Sequence, residues 1–150
     1  MKYLFILISF LSFIQFSLAA EKAYTLQSGD ASLSVVKDGK RLSLQTGNAH
    51  YLSLNAPYVV TLEVNAETLN GYYSSVKEEK GSLVCIAKLK SSHGTVFHVK
   101  DVFAPDTENH FRMDREVTIE KIGKGDDYFN SYFGLTLQRK TQIEDFEFFV

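Results

Sequence analysis

From residue 110 to 121 the chain reads "HFRMDREVTIEK", with Phe111, Met113, Val117 and Ile119 on one face and Arg112, Asp114, Glu116 and Thr118 on the other. A period of two is that of a strand with one side buried and one side wet. Comparable runs are "AYTLQS" (23–28), "SLSVVK" (32–37), "RLSLQT" (41–46), "YVVTLEV" (58–64), "SLVCIAKLK" (82–90), "TVFHVKDVF" (95–103) and "YFNSYFGLTLQRK" (128–140). Turn signals fall between them: Gly29-Asp30, Asp38-Gly39-Lys40, Ser91-Ser92-His93-Gly94, the loop after Pro105, and Gly123 with Gly125. The polar stretch 66–81 predicts a turn at Asn70-Gly71 and a short strand from Tyr72 to Val76. No three-turn helical pattern follows the first twenty residues. With about eight or nine such segments, twelve Phe and no Trp, the pattern predicts an all-β chain of two antiparallel sheets packed face to face, a β-sandwich.

Two residues break the alternation. Arg115 stands in the apolar row of 110–121, and Asp101 stands in the row of Phe97, Val99 and Phe103. If these two strands pair antiparallel across the Pro105 loop with both rows on one side, odd positions oppose odd ones. Asp101 then faces Arg115 directly or diagonally, within reach of a guanidinium. A buried unpaired charge would be strongly destabilising, so the expectation is a structural ion pair of Asp101 and Arg115. The alternative is an Arg115 that clamps a substrate carboxylate or phosphate.

Composition narrows the class. "MKYLFILISFLSFIQFSLAA" joins Lys2 to a long apolar run that closes on Ser17-Leu18-Ala19, the pattern of a cleaved signal peptide over residues 1–19. Residues 20–150 then form one β-sandwich domain of about 130 residues, exported to the periplasm or the exterior, with no membrane partner after cleavage. Lys2 would leave with the signal, so 15 of the 16 basic residues face 18 acidic ones and the net charge becomes −3. No basic stripe with interleaved aromatics occurs, which excludes nucleic acid as a partner. Cys85 is the only cysteine, so no intramolecular disulfide can form, and its apolar neighbours predict a buried small hydrophobe.

Reactive constellations are sparse. His50, His93, His98 and His110 lack a second ligand at metal spacing on a shared element, so neither a metal nor a cofactor is expected. "GKGDD" is not a phosphate loop, and no nucleophile elbow is present. Asp126-Asp127 and Glu78-Glu79 read as loop charges, because adjacency does not supply the two-carboxylate geometry of glycoside hydrolysis. Tyr72, Tyr73, Tyr128 and Tyr132 are candidate glycan contacts, since an exposed phenol ring can stack on a sugar. The chain closes on "EDFEFFV", an aromatic run that reads either as an edge strand or as a sandwich incomplete at its C-terminus.

The stretch "FHVKDVFAPDTENHFRMDREVTIEK" followed by "YFNSYFGLTL" resembles the N-terminal β-sandwich of bacterial six-hairpin glycosidases. That domain is a galactose-mutarotase-like supersandwich placed ahead of an (α/α)6 catalytic barrel. The shared features are a strand ending Val-x-Asp-x-Phe, a strand with an aromatic and then Arg-x-Val-x-Ile, and a Phe-x-Ser-x-Phe-x-Leu strand, spanning Thr95 to Leu137. Asp101 and Arg115 fall on the resemblance as framework residues. It implies the non-catalytic N-terminal sandwich of a secreted glycoside hydrolase, with carbohydrate and a C-terminal catalytic domain as partners. The barrel that would hold the acid and base is not in this sequence, so no catalytic residue carries over. Alternatives are a free-standing glycan- or protein-binding sandwich and an enzyme built around Arg115.

Overall fold

A computed structural model describes residues 22–47, 49–53 and 58–137. Residues 1–19, expected as a signal peptide, the closing "EDFEFFV" and the last residues of the 128–140 run lie outside the described residues. The described chain is all-β. Its strands are β1 (Ala23–Ser28), β2 (Ala31–Val36), β3 (Leu42–Thr46), β4 (Ala49–Ser53), β5 (Val60–Val64), β6 (Glu67–Gly71), β7 (Ser75–Glu79), β8 (Ser82–Lys90), β9 (Val96–Pro105), β10 (Phe111–Lys121), β11 (Phe129–Tyr132) and β12 (Leu135–Leu137).

Three antiparallel sheets form, where two are expected from the sequence. A four-stranded sheet has the order β10-β9-β8-β7, a five-stranded sheet β1-β2-β3-β4-β12, and a three-stranded sheet β11-β5-β6. The four-stranded sheet is one layer of the sandwich, and the other two sheets together face it. Phe97 of β9 meets Phe129 of β11 with ring centroids 5.3 Å apart, and Phe103 meets Phe133 at 6.1 Å. Leu26, Leu33, Val35 and Leu42 enter the core from the large sheet, and Leu62, Val64 and Leu69 from the small one. Leu83, Cys85, Phe97, Val99 and Phe103 meet them from the facing layer. Burial of this row is the main source of stability, at about 1.5–3 kcal/mol per large apolar side chain.

The extra sheet has a local cause. The run 128–140, read as one strand, breaks at Phe133-Gly134: β11 pairs with β5, and β12 pairs with β4 of another sheet. One strand cannot serve two sheets without a bend, and the glycine lies at the bend. Asn70-Gly71, expected as a turn, lies at the end of β6, opposite Thr61 and Val60. The turn falls instead at Asn65-Ala66, with φ of 46° and 69°. Two successive positive φ values are the signature of the tight hairpin turn whose twist matches its strands. β4 and β6, five residues each, are strands the alternation does not reveal.

Candidate functional site

In the β9–β10 ladder Arg115 lies directly opposite Asp101. Arg115 Nε donates to Asp101 Oδ1 at 2.6 Å and its NH2 group to Oδ2 at 2.6 Å, a fork-on-fork pair. The side chains are 10% and 0% exposed. Tyr73 Oη also donates to Asp101 Oδ2, at 2.5 Å, and Arg115 NH1 donates to Ser131 Oγ at 3.1 Å and to the Tyr132 carbonyl at 2.7 Å. The carboxylate is covered and the guanidinium has partners on all three nitrogens. Burial alone would pull the Arg115 pKa down, but the hydrogen bonds and charge of Asp101 outweigh it and the pKa is raised. Burial and then Asp101 hold the Tyr73 phenol well above its ordinary value. Cys85, beside Asp101 in the β8–β9 ladder, is pushed up to about 12 by burial and by that carboxylate. A thiol in this setting is a packing group and not a nucleophile.

Tyr73 therefore belongs to the framework. As a glycan contact it is corrected: the ring is 1% exposed, because the segment after β6 turns inward to bring its hydroxyl to Asp101. Tyr72, Tyr128 and Tyr132 stand on the surface, 49%, 56% and 46% exposed. Tyr72 sits under the Lys40 ammonium, 6.0 Å from the ring centroid. Tyr132 Oη donates to Glu63 Oε2 at 2.9 Å, and that bond is the leading reason its pKa is raised. Tyr128 follows a loop gripped by Asn65, whose Nδ2 donates to the Gly125 carbonyl at 2.5 Å and whose Oδ1 accepts from the amides of Asp127 at 3.2 Å and Tyr128 at 3.3 Å.

Asp126 is the residue sequence reasoning missed. Its side chain is 4% exposed, and it accepts from Ser91 Oγ at 2.6 Å, from Thr95 Oγ1 and, at 2.9 Å, from His93 Nδ1. The Ser91 and Thr95 hydrogen bonds, followed by His93, lower its pKa from 3.8 to about 2. The carboxylate ties the β10–β11 loop to the β8–β9 hairpin, so it is a clasp and not a solvated charge. Its partners lie more than thirty positions away, and no local pattern announces them. Asp127 beside it remains exposed, while Glu78 and Glu79 are exposed at the end of β7. Of the histidines, His98 Nε2 lies 2.5 Å from Glu120, His110 makes local turn contacts and His50 is exposed.

Two recesses open beside β10, with Arg115 standing between them. One, of about 140 Å³, is lined by Phe97, Ile119, Ile122 and Tyr128; the other, of about 230 Å³, by Leu44, Phe103, Met113 and Phe133. Among the described residues no group of three His, Cys, Asp or Glu could hold a metal ion. Comparison with known proteins finds no matching family model, no matching curated protein and no matching solved structure.

Proposed function

We propose that this chain is the non-catalytic β-sandwich domain of an exported carbohydrate-active enzyme, a glycoside hydrolase, and that it packs on or lines a glycan cleft of an (α/α)6 barrel carried beyond this sequence. The observation that carries this reading is the closed Asp101–Arg115–Tyr73 cluster. The two charges with the strongest claim to a reaction centre are spent on each other, in a setting with no open face for substrate. The resembling stretch from Thr95 to Leu137 coincides with β9 to β12, the strands that build this cluster and the bend between the sheets. The free-standing glycan-binding module is a second reading, favoured by the outward rings of Tyr128 and Tyr132.

The full chain, incubated with a panel of aryl glycosides and oligosaccharides, is expected to release no product and to be retarded reversibly in gels containing soluble polysaccharides. Turnover of any glycoside by the purified chain would overturn the non-catalytic reading. Absence of retardation by every polysaccharide would overturn the carbohydrate reading. Export is checked by expressing the chain in a bacterium and measuring the mass of the periplasmic or secreted form, expected to begin near Ala20 or Glu21.

A further inference from the structure

At eleven residues β10 is the longest described strand, and it ends its sheet: among the described residues it pairs with β9 alone. An edge of that length leaves a row of backbone donors and acceptors without partners, and native proteins cover such edges or keep them short. The inward side chains of β10 are uncovered too. Phe111, Met113 and Val117 stay half-buried, whereas Phe97, Val99 and Phe103 on the neighbouring β9 are at most 1% exposed. The recess of about 230 Å³ lies where this cover is missing, with Phe111 and Met113 on one side, Leu44 and Leu135 on the other, and Phe133, 43% exposed, in its wall. No Asp, Glu, Lys or Arg lines it. An apolar cavity of about 150 Å³ accommodates benzene, so this one holds an aromatic ring with room for part of a second.

The chain itself supplies rings within reach. β12 ends at Leu137, two residues after Leu135 in the wall of the recess, and thirteen residues follow in the sequence. The first five, "QRKTQ", are polar. Extended, they span about 17 Å, more than the roughly 10 Å between packed layers, so they can carry the chain from the β12 layer to the edge of β10. The next eight, "IEDFEFFV", alternate, with Phe146, Phe148 and Val150 on one side and Asp145 and Glu147 on the other. That is the pattern of a strand with one buried side. The uncharged recess matches the first row, and water the second. A second copy of β10 fits the edge less well. Antiparallel, same-face pairing of two β10 strands over seven residues or more sets two of the carboxylates of Asp114, Glu116 and Glu120 opposite each other in every register.

We propose that residues 143–150 run along the open edge of β10 as a fifth strand of its sheet, with Phe146 and Phe148 in the recess beside Phe111 and Met113. Amide hydrogen exchange on the unaltered full chain reads the edge directly. Between Phe111 and Val117 the amides that point away from β9 should exchange at least about tenfold more slowly than unbonded amides of the same sequence. Exchange at the unbonded rate overturns the proposal, and this measurement needs no substitution. The chain has no Trp, so a single introduced indole reports its own surroundings. Phe148→Trp should emit at shorter wavelength and be quenched by acrylamide severalfold less than Phe149→Trp, whose position belongs to the other row; equal quenching overturns the buried row. Position is read by combining Phe111→Cys or Met113→Cys with Phe146→Cys or Phe148→Cys, Cys85 being buried and silent. At least one combination should close a disulfide within a single molecule, since paired strands bring Cβ atoms to about 5 Å. No bridge from any combination overturns the assignment of the recess, and bridges that join two molecules overturn it in favour of a second copy.

Discussion

Arg115 contributes to stability only as part of a neutral set. Replacing it with Met leaves the Asp101 carboxylate buried with only the Tyr73 donor. The expected loss is about 3–5 kcal/mol in urea unfolding, and adding Asp101→Leu should return much of it, since removing both charges removes the desolvation cost. A double variant no more stable than the single would show that the two charges do not act together. Tyr73→Phe, which deletes one donor to a buried acceptor, should cost about 1–3 kcal/mol by the same measurement. The pairing of Asp101 with Arg115 was legible because each is the lone charge in an apolar row, and parity dictates the register. The role of Tyr73 was not legible. It lies on a non-alternating segment 28 positions from Asp101, and nothing local tells a surface tyrosine from one that dives into the core.

Among the elements, the strands with strict alternation could be read directly, and those whose identity depends on a neighbour could not. β6 is polar at every outward position and becomes a strand because β5 offers it a ladder, while its hairpin turn uses Asn-Ala where Asn-Gly would have signalled it. Gly39 in the β2–β3 turn shows what a glycine signal can conceal. Its φ is 74°, and a Cβ there would lie 1.9 Å from the Tyr73 carbonyl. Gly39→Ala should therefore destabilise by about 2–4 kcal/mol, left-handed strain and backbone collision adding, with the thermal midpoint as the measure. The Asp126 clasp carries a pH signature. Its folded pKa of about 2 lies below the ordinary 3.8, so its contribution is complete above the ordinary value and fades as pH falls through the folded one. The stability difference between wild type and Asp126→Asn should be constant from neutral pH to about pH 5, shrink between 3.8 and about 2, and level off below. A difference that does not change between pH 5 and pH 1.5 would mean that charge is irrelevant to the clasp.

Over the whole molecule, Cys85 reports on the integrity of both layers at once. It is fully buried between them and holds its proton up to about 12. Labelling by a thiol reagent in native buffer should proceed only through global opening, with a free energy equal to that from urea unfolding. A fast phase under native conditions would reveal a local breach in the sandwich. The all-β class could be read from the chain because it depends on short-range alternation. The division into three sheets could not, because it is decided by which distant strand each half of 128–140 meets. That division has a mechanical consequence. The nine residues from Phe129 to Leu137 stitch the small sheet to the large one, so a force drawn on the chain past Leu137 arrives first at the three register pairs of β12 and β4. They would peel singly like the teeth of a zip and act as a fuse, parting before tension reaches β11 and the phenylalanines behind it.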